Sequence, residues 1–414
     1  MKLDDRLLQN YARVMVHYAL NNGKGIGKGD TVFLVGQENT KDLFLAIARE
    51  VYAAGGHLLT SYLPDQLKES SLTRLLLEKG SDEQVSFFAR PYWQGIVEAT
   101  DHILFIISEP DVHYLEGIPA ARISRMNSAR APYMQMREQK EQAGKLSWSL
   151  CLYGTPSMAA EAGLSTEAYW EQIIEACYLR EEDPVARWRQ VQAEIEEIKD
   201  RLDALRIETL HLTGEEVDLT IRIGAHRKWL SGGGKNIPSF EIFTSPDWRG
   251  TQGSIRFNQP LYYSGKRISG VSLTFENGVV VAASATENED ALKEMIAQEH
   301  ADKVGEFSLT DKRHSRITRF MATTLYDENM GGAFGNTHIA LGNAYKDTFP
   351  GDPSAVTEEQ WADMGYNSCP RVHTDIISTS NRTVTARLQD GTERVIYRDG
   401  QFLLDGPAGG SPAL

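Results

Sequence analysis

Five short stretches in the second half of the chain carry side chains that bind divalent cations. They are Asn236-Ile-Pro-Ser-Phe-Glu241-Ile-Phe-Thr-Ser-Pro246, Gly305-Glu306, Asp327-Glu328-Asn329, His338-Ile-Ala-Leu-Gly-Asn-Ala-Tyr345 and His373-Thr-Asp375. Glu241, Glu306, Glu328, His338, His373, Asp375 and Tyr345 can together hold one or two divalent ions and the water those ions activate. Nitrogen and oxygen donors without thiolate suit zinc, cobalt or manganese. Glu241, Glu306, Glu328 and Asp375 would nearly neutralise two divalent ions, which favours two over one. No His-Glu-x-x-His motif is present, so thermolysin-type chemistry is excluded.

Taken singly, each residue has an ordinary alternative. His373 and Asp375 stand two apart, so a strand would point both to one face, but His-x-Asp is frequent by chance. Glu241 lies between Pro238 and Pro246, in a segment expected to be irregular and rigid. An isolated loop glutamate would be solvated. Phe240, Ile242 and Phe243 argue instead for burial, and a buried carboxylate needs a cation or hydrogen bonds. Glu306 is flanked by Val304, Phe307 and Leu309 and reads as an inward segment. Glu328 falls in a polar turn after a helix expected over residues 315–326. Gly342 separates His338 from Tyr345, which allows two helical turns or a strand and a bend. A lone histidine beside Ile339 and Leu341 is more often a hydrogen-bonded core residue than a ligand. Convergence of all seven is what would make a site.

The elements that must position them change character along the chain. Residues 1–210 alternate helix and strand. Asp30–Gly36 and His57–Tyr62 read as strands joined by a helix from Lys41 to Ala54, a βαβ unit with a right-handed crossover. Asp101–Ser108 is a third apolar strand, and residues 66–100 between them read as polar and helical. The expected first domain is therefore an open parallel sheet with helices on both faces. Gly23-Lys-Gly-Ile-Gly-Lys-Gly29 precedes its strand, so it reads as a turn and not a phosphate loop. Helices are expected over Thr166–Arg180 and from Pro184 through the apolar stripe Trp188, Val191, Ile195, Ile198, Leu202, Leu205. After residue 210 strand and turn signals dominate, and residues 211–405 read as an α+β domain holding every candidate ligand. Asn277-Gly278, Asp390-Gly391 and Asp399-Gly400 mark hairpin turns. A helix is expected over residues 288–302, and the tail 406–414 reads as disordered.

The totals set outer bounds. The chain has 414 residues, enough for two or three domains, and a formal net charge of -14. Nucleic acid and anionic membranes both want a basic face, so neither is expected as a partner. No apolar run is long enough to span a membrane, and the charged N-terminus does not read as a signal peptide. Cys151, Cys177 and Cys369 are odd in number and far apart, which fits a reducing cytoplasm better than a disulfide framework.

The ordered set Asn-x-Pro-x-x-Glu-x-Phe-Thr-x-Pro, Gly-Glu, Asp-Glu-Asn, His-x-Ala-x-Gly-x-Ala-Tyr and His-x-Asp resembles the aminopeptidase T, aminopeptidase S and PepS family of metallopeptidases. The similarity covers nearly the whole chain. It implies removal of N-terminal amino acids from peptides by two divalent ions, zinc, cobalt, manganese or magnesium. It implies Glu241, Glu306, Glu328, His338, His373 and Asp375 as metal ligands, with Glu306 bridging, and Tyr345 as the catalytic tyrosine. A homodimer is also implied, with an α/β N-terminal domain and a metal-bearing C-terminal domain. The chain departs from the family pattern at Ser239-Phe240 and in a longer interval between Glu328 and His338. Two rival readings stay open: a metal-dependent amidohydrolase acting on non-peptide amides, and a catalytically silent homologue that binds peptide or metal.

Overall fold

The computed structural model describes residues 3–404 apart from Ser264 and Pro370; the expected tail at 406–414 lies outside the described residues. The chain divides into two compact units. One takes the residues up to Gln190 together with Gly233–Pro238; the other takes Val191–Gly232 and the chain from Ser239 onward. The division falls inside the helix Pro184–Leu205.

The first unit is built on the expected parallel sheet. Its strands are β1 (Thr31–Gln37), β2 (His57–Leu63), β3 (His102–Ile107) and β4 (Ser147–Leu152), in the order β2-β1-β3-β4, with Asn236–Ile237 added beside β4. All pairs are parallel. The central strands β1 and β3 are near-continuous apolar runs, as burial on both faces requires. Helix α1 (Asp5–His17) starts at Asp4, whose carboxylate accepts the Leu7 N–H at 2.8 Å. The chain ascends β1 and returns through helix α2 (Lys41–Ala53) to β2. At the N-terminal ends of the strands His102 hydrogen-bonds Asp30 at 2.9 Å through Nε2 and Ser147 at 2.8 Å through Nδ1, lashing three strands together. The strand β4 was not foreseen; its sequence Ser-Trp-Ser-Leu-Cys-Leu is short and mixed.

The second unit carries, among the described residues, two large antiparallel sheets and the two-stranded ribbon of Leu261–Tyr263 with Lys266–Ile268. The larger has eight strands, with Asp247–Arg256, Val217–Arg222, Ile207–Gly214 and Arg382–Leu388 at its centre. All three predicted turns form. Asn277 and Gly278 both take positive φ, at 52° and 83°, as a two-residue hairpin turn needs. The smaller sheet contains β5 (Glu241–Thr244), β6 (Val304–Thr310), β7 (Asn336–Gly342) and β8 (His373–Ser378), ordered β8-β7-β6-β5 and then Leu230–Ser231. Every residue of β6 and β7 is buried. One face is mainly apolar, with Phe307, Leu309, Ile339 and Leu341 beside Thr337. The other presents Glu306, Ser308, Asn336 and His338. The register pairs Glu306 with Ala340 and Ala340 with Asp375, and sets Ser308 opposite both His338 and Phe243. Period-two alternation therefore delivers Glu241, Glu306, His338, His373 and Asp375 to one face.

Three local expectations need correction. Residues 315–326 are not a helix; only Thr324–Asp327 makes a turn of one. Ala322 is left-handed, and the Asp327 carboxylate accepts the N–H groups of Met321 and Thr323, at 2.7 and 2.9 Å. Those donors are then lost to a helical ladder. The helix expected over 288–302 stops after Glu289–Ile296, and His300 has φ 62°. Glu241 opens a strand instead of lying in an irregular loop.

Two glycines let backbones meet beside this face. A Cβ on Gly305 would lie 2.4 Å from the carbonyl oxygen of Gly342, and one on Gly342, at φ +108°, would lie 2.0 Å from that of Val372. Replacing Gly342 by Ala should cost at least about 2 kcal/mol, because strain and collision add. Gly391→Ala, at φ +86° with nothing within 4 Å, should cost only about 1 kcal/mol. Equal midpoints in urea unfolding for these two variants would contradict that account.

Candidate metal centre

The five strand-borne donors form two overlapping clusters. Glu241, Glu306 and His338 make one, and Glu306, His373 and Asp375 the other; within each, ligand atoms lie within 4.8 Å of one another. Glu306 belongs to both. Its Oε1 is 3.3 Å from His338 Nε2 and its Oε2 is 3.2 Å from His373 Nε2. Glu241 Oε2 approaches the same His338 nitrogen at 3.3 Å. Asp375 Oδ1 stands 3.8 Å from His373 Nε2, as the two-residue spacing on β8 dictates.

Backbone carbonyls aim the imidazoles. His338 donates its Nδ1–H to the Glu328 carbonyl at 3.2 Å, and His373 donates its own to the Asn343 carbonyl at 2.8 Å. With Nδ1 so engaged, each neutral ring turns its Nε2 lone pair toward the carboxylates, the arrangement in which histidine ligates a metal. Sequence reading found the histidines but not these anchors, because a main-chain carbonyl carries no residue signature.

Glu328 enters from outside the sheet, just after the Thr324–Asp327 turn, and is buried. Its carboxylate belongs to neither three-residue cluster. It nevertheless shares their field: burial, then Glu241 and Asp375, push its pKa well above the ordinary carboxylate range. Tyr345 follows the bend after β7. Its N–H is accepted by Ser245 Oγ at 2.8 Å, and its ring stands 4.6 Å from the His373 ring and 5.7 Å from Phe243. Although 41% exposed, its phenol is held protonated, by desolvation first and then by the charges of Glu306 and Asp375. Cys369 is a buried free thiol whose S–H lies 3.3 Å from the Glu299 carbonyl, a core role and not a ligand's.

The electrostatics are those of a site short of positive charge. Burial raises Glu241 and Asp375. Burial would raise Glu306 as well, but hydrogen bonds from His338 and His373 outweigh it and hold that carboxyl low. Desolvation would lower both histidines; the carboxylates reverse this, taking His373 up to about 9. Asp375 Oδ1 is buried and has no hydrogen-bond partner among the described residues. A buried carboxylate oxygen without a donor, beside three further buried carboxylates, is what a divalent cation would satisfy. The donor set therefore fits the metal.

A sheet face carrying clustered carboxylates and imidazoles, with a protonated tyrosine at its rim, defines a metal-dependent hydrolase. The comparisons give the particular family. The Peptidase_M29 family, thermophilic metalloprotease (M29), matches residues 4–402, and this chain belongs to it. Aminopeptidase PepS of Streptococcus thermophilus is 27% identical over 421 residues, covering 96% of this chain and 98% of its own length. Aminopeptidase T of Thermus thermophilus is 26% identical, covering 96% and 99%. Aminopeptidase AmpS of Bacillus subtilis is 27% identical, covering 95% and 98%. The solved structure of wild-type AmpT from Thermus thermophilus shares the fold, with a TM-score of 0.82 over 96% of this chain and 99% of that one, at 24% identity. Among the described residues no helix is long and apolar enough to cross a membrane.

The charge balance predicts that bound metal removes a pH dependence. Without metal, the raised pKa of His373 contributes stability that is complete below about 6.5 and lost as pH climbs to about 9. With excess zinc that decline should disappear, because ligation requires neutral imidazole and the unfolded imidazole is also neutral above about 6.5. Melting temperatures from pH 6.5 to 9, with chelator and with zinc, test this. Parallel slopes would show that the histidines do not bind the ion.

Proposed function

We propose that this chain is a metallo-aminopeptidase that hydrolyses the first peptide bond of a peptide with two divalent ions, its catalytic part being residues 211–405. The observation that carries this is Glu306, whose two carboxylate oxygens face two different histidines, each with a further carboxylate beside it. We read Glu241, Glu306 and His338 as holding one ion, Glu306, His373 and Asp375 as holding the other, and Glu328 as completing the set. The ions would be zinc, cobalt, manganese or magnesium. When bound, such ions supply Lewis acidity, which lowers the pKa of water and polarises a carbonyl.

The chain's own groups do the rest. Glu306, or the carboxylate of Glu328 that shares its field, accepts the proton of the attacking water. The phenol of Tyr345 donates a hydrogen bond to the oxyanion that develops on the scissile carbonyl. The remaining carboxylate charge favours the free α-ammonium of a peptide, which accounts for exopeptidase action. The names of the relatives support the peptide substrate. Three buried cysteines, none in a disulfide among the described residues, support a cytoplasmic setting. A homodimer follows from the family resemblance, and light scattering would measure it.

Aminoacyl p-nitroanilides should be cleaved by the wild type, and chelator should abolish the activity until metal is restored. Their N-acetyl derivatives should be inert; rapid cleavage of those would favour a general amidohydrolase. Glu306→Gln should lower kcat by about 10³-fold or more. Tyr345→Phe should lower kcat by about 10²-fold with metal content unchanged. Full turnover in either variant would remove that residue from the mechanism.

A further inference from the structure

We propose that Asn329 is a positioning residue that fixes Glu328 relative to Glu241 and thereby sets the affinity of the centre for its cations. This rests on the metal-dependent reading above. Asn329 is wholly buried. Its Oδ1 accepts the Phe240 N–H at 2.6 Å, and its Nδ2 donates to the Leu325 carbonyl at 3.1 Å and to Glu328 Oε1 at 3.2 Å. Those partners settle which way the amide lies, since an N–H must face the oxygen and a carbonyl must face the nitrogen. Phe240 immediately precedes Glu241. One side chain thus joins the backbone beside one carboxylate to the carboxylate group of another, across 89 residues of sequence.

The turn has further supports for its own shape besides the bond from Asn329 to the Leu325 carbonyl. Asp327 accepts two N–H groups, Asn336 Nδ2 donates to the carbonyls of Glu328 and Met330 at 2.8 Å each, and Ser315 Oγ donates to the Asn329 carbonyl. What the Asn329 amide adds is a tie between the two acidic groups. Only a group that accepts and donates at once can make it; an aliphatic side chain would make neither bond. Partners of this kind are commonly worth about 10–100-fold in metal affinity.

The test uses the full chain, stripped with chelator and titrated with cobalt(II). Calorimetry gives affinity and stoichiometry, and the visible ligand-field spectrum reports the geometry. Asn329→Ala and the shorter polar Asn329→Ser should both weaken cobalt binding by about 10–100-fold and alter the spectrum while still unfolding cooperatively. Ser315→Ala removes a bond to the same turn without touching either carboxylate and should bind cobalt as the wild type does. If the alanine variant fails to fold, the serine variant decides. Wild-type affinity and spectrum in a folded Asn329 variant would overturn the proposal, as would an equal loss in Ser315→Ala. A wild type that takes up no cobalt would instead sink the metal reading beneath it.

Discussion

Three carboxylates and two imidazoles line one face of a small sheet, Glu328 joins them from a neighbouring turn, and almost everything about that region answers to their charge. In water such groups repel weakly. Out of water, like charges at these separations cannot all stay ionised without a cation. The histidines absorb part of the excess by holding protons, and Glu306 stays charged because both imidazoles lean on it. The other three carboxyls are pushed upward. The polypeptide alone is therefore an incomplete electrostatic object, and a family of metalloproteases is where such an object belongs.

The fold meets this demand with regular structure. Strands act as rulers: pairing registers place Glu306, His338, His373 and Asp375 without help from flexible loops. The opposite face of the same strands is mainly apolar, with Phe307, Leu309, Ile339, Leu341 and Ile376, and anchors them by burial, at about 25 cal/mol per Å². Main-chain carbonyls of Glu328 and Asn343 set the two imidazoles. The site is thus rigid where donors must converge, and Glu328 and Tyr345 reach it from turns.

Much of this was legible beforehand. The parallel sheet showed in the apolar runs of β1 and β3, and the hairpins showed in Asn277-Gly278 and Asp390-Gly391. His373-x-Asp375 needed only a strand's alternation to point both groups one way. Other parts could not be read. Residues 315–326 have helical spacing, but a side chain downstream, Asp327, takes the N–H groups a helix would use. The helix beginning at Glu289 stops at Ile296, and His300 beyond it adopts a conformation its sequence does not announce. The strand β4 is defined by its neighbours more than by its composition. The carbonyls behind the histidines are invisible to any reading by residue type.

The strand β8 lies at the border of its sheet, with β7 on one side and no strand on the other among the described residues. It carries both His373 and Asp375. His338, by contrast, sits on an interior strand, and its side chain is 1% exposed against 23% for His373. The two halves of the centre are consequently unequal in mechanical terms. Fluctuations that loosen a border strand would open the His373–Asp375 half while the Glu241–His338 half stays shut. On the two-ion reading proposed above, exchange with solvent cations would be stepwise, the His373–Asp375 position turning over before the other.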